Sequence, residues 1–130
     1  MWLQFLNYFF FIFHTGFTLF NLVGWAFRVT RKWHLLTMSL TALSWFLLGI
    51  WYGFGYCVCT DWHMDVRRQL GYHDDQQSYI RFLIFKLTGI DLDEQLVQTT
   101  TLIVFLVLCG LSIMLNIRDR RKRIRRSARE

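Results

Sequence analysis

The chain has 130 residues, room for one domain, with 54% hydrophobic, 18% aromatic and only 18% charged residues. A soluble domain of this size wraps a thin core in a charged shell. Here the apolar runs are too long for that and the charge is gathered between them, which excludes an ordinary soluble fold. The formal net charge of +6 does not indicate a nucleic-acid partner, because the excess sits almost wholly after Ile117.

The first apolar segment covers about residues 2–27, long enough at a helical rise of 1.5 Å to cross a hydrocarbon core of roughly 30 Å. It has no cationic start and no small-residue cleavage site, so it does not read as a removable leader. Arg28, Arg31 and Lys32 form a short basic loop. A second span follows at about residues 33–56, ending in an aromatic and glycine-rich stretch suited to a water–lipid boundary. Residues 57–94 form a long loop with seven acidic and four basic residues, and a third span covers about residues 95–117. The absence of proline leaves nothing to force a kink in these spans. The expected fold is an all-α integral membrane bundle: a transmembrane domain over 1–117 and a basic tail over 118–130.

Two short helices are expected in the loop. Residues 61–70 can be capped by Thr60 or Asp61 and ended by Gly71 in the left-handed conformation. Residues 78–87 place Tyr79, Ile80, Leu83, Ile84 and Leu87 at helical spacing, too short to span and therefore interfacial. Asp74 and Asp75 beside His73 read as a solvated turn, and Asp91, Asp93 and Glu94 as the N-terminal flank of the last span.

Orientation follows from the Lys/Arg asymmetry. With three spans, the first loop and the tail share one side, and both are basic. The positive-inside rule puts them in the cytoplasm and the 57–94 loop outside, as expected for a bacterial inner-membrane protein. In the tail, Arg121, Lys122, Arg123, Arg125 and Arg126 are candidate contacts for anionic lipid headgroups. The bilayer, a second copy or another membrane protein are the expected partners, with no nucleic acid.

Each span carries a polar line. In the first, steps of three and four link Gln4, Asn7, Phe11, His14, Thr18, Asn21, Trp25 and Arg28. In the second the line is Thr37, Thr41 and Ser44; in the third it is Gln98, Thr101, Cys109, Ser112 and Asn116. Burying the three lines together would satisfy them by interhelical hydrogen bonds. A proton or ion path along Asn7, His14 and Asn21 is the alternative, but His14 is the one ionisable group near a span centre, and a relay needs successors at other depths. Gly49 and Gly53, four apart, offer a close backbone approach. No two histidines on different spans share a depth, which argues against bis-histidine haem, and no cofactor is expected.

The densest chemistry is Cys57-Val58-Cys59-Thr60-Asp61-Trp62-His63, followed by Arg67. This segment resembles the signature of an uncharacterised bacterial family of small membrane proteins, the domain of unknown function 2784 family. That signature runs roughly Cys-Pro-Leu-Thr-x-Leu-Glu and then Leu-Arg. Cys57, Thr60 and Arg67 match it, and Val66 stands for Leu. Val58 replaces Pro, Cys59 replaces Leu and His63 replaces Glu. The likeness continues loosely through Gly71 and residues 79–87 to the last span. It implies the architecture and no activity.

Three roles compete for the segment. Cys57 and Cys59 could form a disulfide outside the cell. Cys57, Cys59 and His63 could hold a soft metal, although metal motifs normally show two separated ligand pairs. In the structural role, Cys57 packs as a small apolar residue, Thr60 caps the helix and Arg67 anchors to an acid or a lipid phosphate. No nucleophile–base–acid set and no phosphate-cradling glycine loop is visible. The leading expectation is a non-enzymatic membrane component that assembles with itself or a partner, ahead of an outward thiol or metal site.

Overall fold

The computed structural model describes residues 1–73 and 79–130. The solvated turn expected at Asp74 and Asp75, and Ser78 at the start of the second loop helix, lie outside the described residues. Among the described residues the chain is helical with no strand, in chain order α1 (Trp2–Val23), α2 (Arg31–Tyr52), α3 (Val58–Gln69), α4 (Tyr79–Thr88) and α5 (Glu94–Ser127). α1, α2 and α5 are long and apolar enough to cross a membrane. The fold is the expected all-α membrane bundle, with α3 and α4 as short helices between the second and third spans.

The ends of the helices differ from the sequence expectation, each for a local reason. α1 stops at Val23 rather than near residue 27. The Gly24 N–H closes on the Phe20 carbonyl at 2.7 Å, and a Cβ at Gly24 would lie 3.1 Å from the His34 ring. The first loop is therefore drawn tightly against α2. α2 starts at Arg31 and ends at Tyr52, with a π-helical stretch at Leu43–Leu48. It stops because Gly53 takes φ +101 and Gly55 φ +84, values an L side chain resists. This return lays the Phe54 Cα 3.3 Å from where a Cβ of Gly49 would be. The close approach expected at Gly49 is thus made by the chain to itself.

α3 begins at Val58, three residues before the expected start, with Cys57 as the extended N-cap residue and no side-chain cap. Its other end matches the expectation. Gly71 sits at φ +86, with its N–H on the Arg68 carbonyl and the Tyr72 N–H on the Arg67 carbonyl, both at 3.0 Å. This is the paired bonding of a Schellman ending. At the start of α5, Asp93 accepts from the Leu96 N–H at 3.1 Å. Arg81 on α4 reaches Asp91 at 2.8 Å and Glu94 at 3.6 Å. α5 continues without a break from the third span into the basic tail, to Ser127.

Members of the three polar lines meet about His34 rather than along the whole length of one seam. α1 packs most extensively on α3, α2 on α5, with smaller contacts between α1 and α2 and between α4 and α5. The small hydrophobic core lies where α3 and α4 meet α1, built from Met64, Tyr79 and Phe82 with Phe11 and Leu83 against them.

Candidate functional site

α3 has two faces. Thr60, His63, Met64 and Arg67 are buried, while Trp62, Asp65, Arg68 and Gln69 are exposed. Spacings of three, four and seven put the first set on one side of a helix, and that side lies on α1. His63 is fully buried, and its Nε2 donates to the Asn7 Oδ1 at 2.9 Å. Arg67, one turn further, directs its guanidinium to the same oxygen at 3.5 Å. The two groups converge on one acceptor of α1.

Aromatic rings close the cluster. The Arg67 guanidinium lies over Tyr72 at 4.5 Å and over Phe82 at 4.8 Å. Away from water such a cation–π contact contributes about 2 kcal/mol. Tyr79 meets the His14 ring at 3.9 Å between centroids. Its hydroxyl reaches the Phe11 carbonyl and the Thr15 hydroxyl, each at 3.3 Å. Burial pushes the Tyr79 phenol above its ordinary value, so it remains a neutral donor. His63 stands 6.0 Å from Tyr79 and 6.1 Å from Phe10 and Phe82. The site therefore joins Asn7, Phe11 and His14 of α1 to His63 and Arg67 of α3 and to Tyr79 and Phe82 of α4. Its chemistry is donation into fixed acceptors within a packed shell.

The sequence motif is divided by this geometry. Thr60 and Arg67 face α1, and Cys57 starts the helix half-buried. Thr60 does not cap α3; its hydroxyl is buried and makes no hydrogen bond among the described residues. Arg67 is buried, with Asn7 and two aromatic rings about its guanidinium. All three cysteines are free thiols. Burial pushes the Cys59 thiol above its ordinary value, and the adjacent Cys57, hydrogen-bonded to it, adds to the effect. Cys57, Cys59 and His63 do not converge: among the described residues no three His, Cys, Asp or Glu side chains are grouped to hold a metal ion.

The polar line of α1 is likewise split by depth. Asn7 and His14 belong to the cluster formed with α3 and α4. Asn21 belongs to a second one, where its side-chain N–H donates to Thr41 at 3.2 Å and its carbonyl accepts from the His34 Nε2 at 2.8 Å. Thr18 lies half-buried between them and makes no side-chain hydrogen bond among the described residues. In the second cluster the His34 Nδ1 meets the Ser112 hydroxyl at 2.9 Å. A carbonyl can only accept, so Nε2 carries a proton; in the neutral ring Ser112 then donates to Nδ1. Asn116 donates to the Arg31 carbonyl at 3.2 Å, and Arg31 pairs with Asp119 at 2.7 Å. Arg121, Lys122, Arg123, Arg125 and Arg126 are exposed on the last turns of α5.

Sequence reasoning missed Tyr72, Tyr79 and Phe82 as partners of the motif, and His34 as the hub of the second cluster. A signal for His34 was present: it shares one helical face with Met38 and Thr41, both in the apolar run of the second span. Nothing comparable linked α4 to Arg67, because that contact crosses the loop.

Comparison with protein families gives a match over residues 4–117 to the model described as Protein of Unknown function (DUF2784). No curated protein and no solved structure matches.

Proposed function

The chain belongs to the DUF2784 family, and from that premise we propose that it is a non-enzymatic membrane component that assembles with a second copy or another membrane protein through α1. The observation that carries this reading is an aromatic ridge on α1. Trp2, Phe5, Phe9, Phe13 and Phe17 stack in succession at 5.7 Å, 6.4 Å, 6.0 Å and 6.3 Å between centroids. The first four are exposed, on the side away from the residues that meet α3. The buried polar groups are meanwhile committed to bonds between the chain's own helices. In lipid, helices associate by packing shape rather than by excluding water, and a pre-stacked ridge loses little side-chain freedom on docking.

The reading places the protein in a bacterial inner membrane, with its N-terminus outside and its tail in the cytoplasm. The basic first loop and the basic tail support that orientation. It includes no cofactor and no nucleic acid.

The test is cross-linking in native membranes. Phe9→Cys is introduced in a background where Cys57, Cys59 and Cys109 are serine, and a short bis-maleimide is added. One discrete cross-linked species is expected, falling several-fold when Phe5 and Phe13 become alanine. Recovery of monomer alone overturns the proposal. A second reading, an outward thiol couple, is favoured by the hydrogen-bonded contact of the Cys57 and Cys59 thiols. Cys59→Ser is disabling under that reading and silent under the first.

A further inference from the structure

α5 is longer than a membrane requires. Its 34 residues extend about 51 Å at 1.5 Å per residue, against a hydrocarbon core of roughly 30 Å. The excess continues the span as rigid helix through the headgroup zone. Along one side of this helix runs an open groove with two halves. Gly110, Ile113, Met114 and Ile117 line the half within the span; Arg118, Arg121, Lys122 and Arg125 line the half beyond it. Steps of three and four keep them on one face, so about 10 Å of apolar surface leads into about 10 Å of basic surface.

Each half has a distinguishing feature. At Gly110 a Cβ would meet nothing within 4 Å, so the groove is open at its apolar end. At the basic end the charge is not cancelled. Beyond Ile117 the acids are Asp119 and Glu130. Asp119 is taken by Arg31 of α2 at 2.7 Å, and Glu130 lies 4.0 Å from Arg126. Among the described residues Arg121, Lys122 and Arg125 have no ion-pair partner within 4.0 Å.

We infer that this face of α5 is a binding site for one anionic diacyl phospholipid of the leaflet nearest the tail. The phosphate sits among Arg121, Lys122 and Arg125, and an acyl chain lies along Ile117, Met114 and Ile113 to the notch at Gly110. Charge complementarity selects an anion. The continuity of the basic half with an apolar half at acyl-chain depth selects a lipid over a polyanion such as RNA, which has nothing to place beside Met114. The site lies on α5 and stands independently of assembly through α1.

The experiment uses the full chain reconstituted in phosphatidylcholine containing a minor fraction of phosphatidylglycerol, with lipid retained after extraction counted by native mass spectrometry. Two triple variants remove the same charge: R121Q/K122Q/R125Q on the face, and R120Q/R123Q/R126Q off it. The first is expected to lose retained phosphatidylglycerol by at least about tenfold, since each lysine or arginine near an anionic surface contributes appreciably, while the second keeps it. Gly110→Phe, which fills the notch with all charges intact, is expected to lower retention with helicity unchanged by circular dichroism. Equal losses in the two triple variants would reduce the site to diffuse attraction and overturn the inference. So would full retention in Gly110→Phe, displacement by inorganic phosphate, or displacement by RNA.

Discussion

Two buried histidines, His34 and His63, are each fully withdrawn from solvent, yet they hold different things. His34 ties spans to one another: its two ring nitrogens face the Asn21 carbonyl on α1 and the Ser112 hydroxyl on α5. His63 ties a short helix to a span, sharing Asn7 with Arg67. The His34 cluster is therefore a joint among three membrane helices, and the His63 cluster a clasp for α3 and α4. The same residue type sets the packing of the bundle in one place and the position of a loop segment in the other. The difference lies in which elements the partners occupy.

The comparison is broken most directly at His34. His34→Leu removes both bonds and leaves the Ser112 hydroxyl and the Asn21 carbonyl without this partner. A loss of about 2–3 kcal/mol is expected, at the upper end for polar contacts in membrane proteins because two bonds and a fully packed ring go together. It is read as reduced resistance to unfolding in mixed micelles, together with changed α1–α5 distances by spin labelling. His63→Leu is expected to cost about 1–2 kcal/mol and to act locally. Hydrogen exchange should rise in α3 and α4 while the spans stay protected. If both variants loosen the spans alike, the distinction between joint and clasp fails. Gly71→Ala sharpens it with the smallest effect. No atom blocks a Cβ there, so the cost is that of holding alanine at φ +86, about 1 kcal/mol. Fraying should be confined to the C-terminal turn of α3 and should not reach the spans.

Much of this was legible before any coordinate. Apolar run length gave the three spans, and Gly71 gave the end of α3 because a left-handed ending is a local demand on one residue. The start of α3 was misjudged for a related reason. Cys57 takes the N-cap position by backbone conformation alone, with no capping side chain to announce it. The polar lines were visible as lines, but their division was not. Asn7 and Asn21 lie on one seam of α1, and only the packing of different helices at different depths assigns them to different clusters. The contacts of Arg67 with the Tyr72 and Phe82 rings had no sequence signal at all.

Taken alone, the sequence determined what depends on length and neighbours along the chain: helices long enough for a bilayer, a basic third helix end, and amphipathic segments between the spans. These follow from hydrocarbon thickness and helical period, which act on a chain one segment at a time. The tertiary structure decided which polar groups meet. A hydrogen bond between residues 56 apart, as from His63 to Asn7, depends on how three helices are placed together. It also set Asp119 against Arg31, and so left the remaining charge of the tail to face outward from α5.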